Sequence, residues 1–291
     1  MAGGQQTVKL PGGLVAWLEQ QGRALPSSSA PLAGGCIADT RRLSWSDGWT
    51  AILKEDHRAP EDQFAAEAEG LRALAQAQAL RIPEVYAHGR RFLLLEDLPP
   101  APRSKDYWST CGQRLALQHQ QRSPQFGFAI ATYCGATRQC NDWQEDGHHF
   151  FASCRLLDLG QRCHQRGLCN AGDLSKLERL CQRLPELVPK QDACLLHGDL
   201  WSGNLHTDQH GQPALIDPAC YYGWPEAELA MTKLFGGFAP AFYAAYEEAS
   251  GIDRQWQERS DIYNLYHLLN HALLFAGGYV SQAHSVIERY H

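Results

Sequence analysis

Apolar and polar positions along the chain follow two periods that change near residue 100. Trp49-Thr50-Ala51-Ile52-Leu53 is a compact, β-prone run and predicts a strand that ends at Lys54. Over residues 61–78 the spacing lengthens. Phe64, Ala68, Leu71, Leu74 and Ala75 recur as one stripe of an amphipathic helix. Glu67 falls on or beside that stripe and Glu69 on the polar side. Arg91-Phe92-Leu93-Leu94-Leu95-Glu96 predicts a buried strand running into Leu98-Pro99-Pro100-Ala101-Pro102. Prolines there continue neither strand nor helix but stiffen a connection. Beyond it the pattern predicts helices near residues 106–120, 150–165, 173–184, 227–234, 240–249 and 261–276. Asp173 serves as N-cap and Pro185 as stop of the third. Ile262, Leu265, Leu269, Ala272 and Phe275 take core spacing in the last, with Asn270 and His271 as satisfied polar groups beside them. Two short apolar runs, Ala193 to Leu196 and Ala214 to Ile216, interrupt the helices, and Asp208-Gln209-His210-Gly211 supplies a tight turn. The expected architecture is α+β and two-lobed: a small N-terminal sheet lobe with one main helix (1–97), a connection (98–103) and a larger, mostly helical lobe (104–291).

Composition narrows the function. The 291 residues, 44% hydrophobic, suffice for one large domain or two lobes. A formal net charge of −6 leaves no basic stripe for nucleic acid, and no apolar run reaches membrane-spanning length. The first residues, Met1-Ala2-Gly3-Gly4-Gln5-Gln6, lack the basic flank and apolar core of a signal peptide. Ten cysteines without a Cys-x-x-Cys pair fit free thiols in a reducing cytoplasm better than zinc ligands or a disulfide framework.

The chemistry concentrates in Leu195-Leu196-His197-Gly198-Asp199-Leu200-Trp201-Ser202-Gly203-Asn204, followed by Ile216-Asp217-Pro218. Each apolar run ends in polar residues, so Asp199, Asn204 and Asp217 gather at the mouth of one hairpin. Oxygen donors of this kind suit magnesium, which takes one or two carboxylates and completes its shell with water and phosphate. Phosphoryl transfer asks a protein mainly for positioning and charge neutralisation. Asp199 is therefore the candidate base for a substrate hydroxyl, and Asn204 and Asp217 are the candidate metal ligands.

A core-facing carboxylate needs a cation, and Lys54 at the end of the preceding strand is the one available to Glu67. Such a pair would set the lysine on nucleotide phosphates. Glu96, Asp97 and Leu98, at the lobe connection, would offer backbone groups to the edge of adenine. Ala33-Gly34-Gly35-Cys36 could form a turn over the phosphates, or an ordinary hairpin turn. Cys36 there is either a reactive thiol, activated by nearby lysine and free amides, or a small packed residue.

These residues resemble the fructosamine kinase (ketosamine-3-kinase) family of the aminoglycoside and choline kinase group. The similarity runs through Gly35-Cys36-Ile37, Phe64-x-x-Glu67, Gly112-x-x-Leu115-Ala116-x-x-His119, Phe126-Gly127-Phe128 and Asn141-Asp142-Trp143. It continues through the Asp199 loop, Asp217-Pro218-Ala219-x-Tyr221-Tyr222-Gly223, Glu228-Leu229-Ala230-Met231 and Leu234-Phe235-Gly236-Gly237-Phe238. Ala38-Asp39-Thr40-Arg41-Arg42 departs from the family pattern. The resemblance implies a protein-kinase-like fold, ATP and Mg2+ as cofactors, and transfer to the 3-hydroxyl of a sugar joined to an amine. Fructosamines, ribulosamines and erythrulosamines, free or protein-bound, are such acceptors, and phosphorylation leads to deglycation. The expected location is the cytoplasm, and the expected state a monomer or homodimer. Trp201 would stack on the sugar-amine or pack in the core, Glu226 would be a more exposed amine-recognition candidate, and Glu228 would brace. The alternatives are an aminoglycoside- or choline-type phosphotransferase acting on another amino alcohol, and a non-catalytic kinase-like binding module.

Overall fold

The computed structural model describes residues 8–32 and 38–291. Helix α1 (Gly12–Gln20) precedes strands β1 (Ser28–Pro31), β2 (Asp39–Ser44) and β3 (Thr50–Glu55). Helix α2 (Gln63–Ala75) follows, then β4 (Val85–Gly89) and β5 (Phe92–Glu96). The five strands form one antiparallel sheet in the order β1-β2-β3-β5-β4. Side chains alternate across it with a period of two. Ala51 and Leu53 of β3, with Phe92 and Leu94 of β5, pack against Leu14 and Leu18 of α1. Leu93 and Leu95 face the opposite way, into the core that contains Phe64, Leu71 and Leu74 of α2. Lys54 pairs with Leu93 in register and so emerges on the α2 side of the sheet.

The chain leaves the sheet at Glu96 and enters α3 (Tyr107–Gln118) across the proline-rich connection. Short strands β6 (Arg122–Ser123), β7 (Thr132–Cys134) and β8 (Thr137–Gln139) come next. They lead to α4 (Gly147–Phe151), a π-helical segment over Ala152–Leu157, α5 (Asp158–Gln165) and α6 (Ala171–Leu187). Asp199, Asn204 and Asp217 lie among β9 (Ala193–Leu196), β10 (Leu205–Thr207), β11 (Pro213–Leu215) and β12 (Tyr221–Gly223). Helices α7 (Pro225–Leu234), α8 (Pro240–Ser250), α9 (Ser260–Phe275) and α10 (Gly278–Tyr290) complete the larger lobe. This two-lobed α+β arrangement is the protein-kinase-like one.

Several sequence expectations are corrected. The predicted helix over 150–165 carries a π segment in its first half. Asn170, rather than Asp173, is the N-cap of α6, and Asp173 closes a reciprocal capping box with it. Pro185 sits inside α6 and does not stop it: in the last turn its missing N–H costs one bond, and the helix ends two residues later. The two apolar runs do not pair with each other. β9 pairs with β12 and β6, whereas β11 pairs with β10 through the predicted turn. Helices α1 and α10 were not anticipated from the pattern.

Candidate active site

Two crossing loops bring the three oxygen-bearing residues together. The Gly198 φ of +82° lets the backbone after β9 press against Ala219, where a Cβ would lie 2.1 Å from the Ala219 carbonyl oxygen. His197 then ties the two loops. The Ala219 N–H donates to the His197 carbonyl at 2.8 Å. The His197 ring meets the Ile216 carbonyl through Nε2 at 2.8 Å, and the Asp199 N–H donates to Nδ1 at 3.3 Å. This pattern fixes the proton on Nε2, and burial holds the ring below the usual imidazole range and therefore neutral. Asp217 is one residue beyond that carbonyl, with φ at +56°, so its left-handed turn swings the carboxylate back over the cleft.

Asn204 fixes the Asp199 loop. Its Nδ2 donates to the Asp199 carbonyl at 2.8 Å and to Asp199 Oδ2 at 3.2 Å. Because the amide nitrogen is committed to Asp199, the Asn204 Oδ1 is the atom left to face a cation. Burial pushes the Asp199 carboxyl up to about 7. The Asn204 hydrogen bond opposes the rise, while the charges of Asp217 and Glu228 add to it. From below, the fully buried Glu228 accepts the N–H groups of His197 at 3.0 Å and Gly198 at 2.8 Å. Its Oε2 also lies 3.0 Å from His119 Nε2, and His119 Nδ1 lies 2.7 Å from the Tyr246 hydroxyl. Burial opposes ionisation of Glu228, but His119 and these loop contacts outweigh it and hold the carboxyl below its usual range.

Lys54 reaches into the same space. Its Nζ donates to Glu67 Oε1 at 2.6 Å and to Asp217 Oδ1 at 3.0 Å. Burial alone would lower its pKa, and the two carboxylates reverse that and raise it. Glu67 lies three residues after Phe64 and four before Leu71, which places it on the buried stripe of α2 facing Lys54. One turn further on, Gly70 sits against Cys220 and Pro218, where an added Cβ would lie 3.1 Å from Cys220 Sγ. That close approach seats α2 on the loop carrying Asp217.

Lys54, Glu67, Asp199, Trp201, Asn204 and Asp217 all line one cavity of about 360 Å³. Other predicted residues do not. Glu96, Asp97 and Leu98 are absent from its lining. Glu96 pairs with Arg81, Asp97 with Arg42 at 2.6 Å, and the Leu98 carbonyl accepts from His206 at 2.7 Å. Glu226 is corrected from an exposed position to a buried one. Arg259 grips it with two bonds of 2.8 Å and the Tyr263 hydroxyl donates to it at 2.7 Å, leaving no free carboxylate edge for an amine. Gly34, Gly35 and Cys36 lie outside the described residues.

The far wall of the cavity was missed from sequence. Tyr133, Cys134 and Gly135 of the β7–β8 hairpin line it, as do Phe235, Asn270, His271, Phe275 and Tyr279. Trp201 meets Phe235 edge-on at 5.9 Å, and His271 lies 4.9 Å from Phe235 and 5.0 Å from Tyr279. Phe275, predicted as core, is 61% exposed on this rim. Asn270 and His271 face the cavity as well as the lobe. The Asn270 Nδ2 donates to the Cys134 carbonyl, while its buried Oδ1 has no partner among the described residues. The one available signal was the Leu234-Phe235-Gly236-Gly237-Phe238 run, too aromatic for an ordinary loop.

A sheet lobe over a helical lobe, with a lysine–glutamate pair and an Asp/Asn/Asp set meeting in the cleft between them, defines an ATP-dependent phosphotransferase of the protein-kinase-like class. The profile of the fructosamine kinase family matches residues 15–291, and the chain belongs to that family. It is therefore an enzyme of the ketosamine-3-kinase type. A probable ketoamine kinase of Synechocystis is 39% identical over 269 residues, covering 89% of this chain and 88% of its own. The chloroplastic protein-ribulosamine 3-kinase of Oryza sativa subsp. japonica is 33% identical, covering 94% and 82%. A crystal structure assigned as a fructosamine-3-kinase from Thermobifida fusca superposes with a TM-score of 0.86 at 28% identity, covering 94% of this chain and 96% of its own. No helix among the described residues is long and apolar enough to cross a membrane.

Proposed function

We propose that this chain transfers the γ-phosphoryl group of ATP to the 3-hydroxyl of a ketosamine, with Asp199 as the base that accepts the hydroxyl proton. The observation that carries the reading is the convergence of Lys54, Asp199, Asn204 and Asp217 on one cavity. The Asp199 carboxyl, pushed up to about 7 by burial, is poised to take a proton near neutrality. Glu67 holds Lys54 toward the nucleotide phosphates. Magnesium fits the donor set: the Asn204 Oδ1 and the Asp217 carboxylate, whose side chain is 42% exposed, are hard oxygen ligands. When bound, the ion neutralises charge on the transferring phosphate. Trp201 and the aromatic wall beside it offer flat apolar faces to the sugar-amine.

The names of the relatives support a ketoamine or ribulosamine acceptor over an aminoglycoside or choline. The deciding experiment follows ADP release with ribulosamine, erythrulosamine and fructosamine derivatives against an aminoglycoside and choline, under saturating Mg-ATP. Turnover on the ketosamines is expected, and inactivity on all three refutes the assignment. Replacement of Asp199 by Ala should lower kcat by about two to four orders of magnitude, the range for a positioned general base. Near-normal turnover would remove Asp199 from that role.

A further inference from the structure

Cys140, in the loop after β8, and Cys154, in the π-helical segment, stand with their sulfurs 3.4 Å apart. Both are free thiols, Cys140 partly exposed and Cys154 buried. Their backbones are held by a single side chain. Arg155, fully buried, donates from Nη1 to the Cys140 carbonyl at 2.6 Å and to the Cys154 carbonyl at 2.9 Å. Its Nη2 donates to Asn141 Oδ1 at 2.7 Å, and its guanidinium lies 3.9 Å from the centre of the Tyr221 ring. The rigid guanidinium fork thus pins the two chain segments that carry the thiols. A disulfide needs its sulfurs at about 2.05 Å, so closing this contact asks for little more than about 1 Å of sulfur movement.

We propose that Cys140 and Cys154 are a two-electron redox site that closes to an intramolecular disulfide when the protein meets a hydroperoxide. The partly exposed Cys140 thiol reduces the peroxide O–O bond and becomes a sulfenic acid, releasing water or an alcohol. Cys154 sulfur then attacks the Cys140 sulfur. The S–O bond breaks, the S–S bond forms, and the Cys154 proton leaves with the departing hydroxyl as water. In total two thiols are oxidised and one peroxide is reduced. Burial, with Cys140 next to it, pushes the Cys154 thiol up to about 11, so Cys154 is not the thiol that meets the peroxide, and its part in the second step rests on its 3.4 Å contact with Cys140. The bond would clasp the base of the β7–β8 hairpin, because Asn141, next to Cys140, donates to the Ile130 carbonyl at 3.0 Å and to Thr132 Oγ1 at 2.8 Å. Tyr133, Cys134 and Gly135 of that hairpin line the active-site cavity, whereas Cys140 and Cys154 do not.

The test treats the reduced full-length protein with a small excess of hydrogen peroxide, alkylates the remaining thiols and maps the peptides. A Cys140–Cys154 linked peptide is expected, reversible by dithiothreitol, with a Tm rise of about 5 °C from constraining a short loop. The C140S variant should show neither the link nor the rise, and C154A provides the same control from the buried side. Recovery of both cysteines in alkylated form, whatever happens to other thiols, overturns the proposal. So does irreversible over-oxidation of Cys140 without the link, or a peroxide-induced Tm rise that survives in C140S.

Discussion

Replacing Asp199 by Asn should separate what this residue does for chemistry from what it costs the fold. The carboxyl has an ordinary value of 3.8 and is pushed up to about 7 in the folded protein, chiefly by burial. Between about pH 4 and pH 7 the folded state therefore keeps a proton that the unfolded chain has released. Stability falls as the pH rises through this window, and the penalty is complete above about pH 7. A rise of this size is equivalent to about 4 kcal/mol, and solvent in the open cleft screens the cost to about 2 kcal/mol. Asparagine keeps an oxygen for the Asn204 Nδ2 and removes the charge. Without nucleotide or magnesium, D199N should match wild type in Tm near pH 4.5 and exceed it by about 5 °C at pH 8. Calorimetry at the two pH values measures the difference, and a turnover assay at pH 8 should show the loss of activity expected for a missing base. An Asn variant no more stable than wild type at pH 8 would refute the claim that burial destabilises this carboxylate.

Three further outcomes follow from the same geometry. K54M leaves Glu67 and Asp217 without their cation, so kcat/KM should drop at least about 100-fold and stability by about 3 kcal/mol, measured by steady-state kinetics and denaturant unfolding. E226A strands Arg259 and should cost about 3 kcal/mol while leaving the KM for the sugar-amine unchanged; a tenfold rise in that KM with normal stability would restore the amine-binding role. Chelating divalent ions should abolish turnover, and D217N should need about tenfold more magnesium for half-maximal rate, read from a magnesium titration at fixed ATP.

The parts of the site that the sequence revealed are those whose geometry is set locally. Asp199 and Asn204 are five residues apart in one loop, and Asp217 follows a short hairpin, so their neighbourhood needs no long-range contact. Glu67 was legible because a helical stripe fixes which way a residue points, and Lys54 because a strand alternates. Glu226 was misjudged because its helix start gave no sign that Arg259, 33 residues later, folds back beneath it. Prolines drew attention to residues 98–103 as a connection, but nothing local foretold that His206 would take the Leu98 carbonyl.

Taken alone, the sequence determined the two-lobed plan and the family, since periodicity and motif spacing are properties of neighbouring residues. Tertiary structure decided the shape of the cavity. Its far wall joins the β7–β8 hairpin, Phe235 and the α9–α10 corner, three segments brought together only by packing of the larger lobe. The same packing decides that Glu228 supports the Asp199 loop and that two cysteines outside the cavity lining share one contact. Burial and long-range contact set the pKa of Asp199 and the commitments of each carboxylate, and those follow from the whole fold rather than from any stretch of chain.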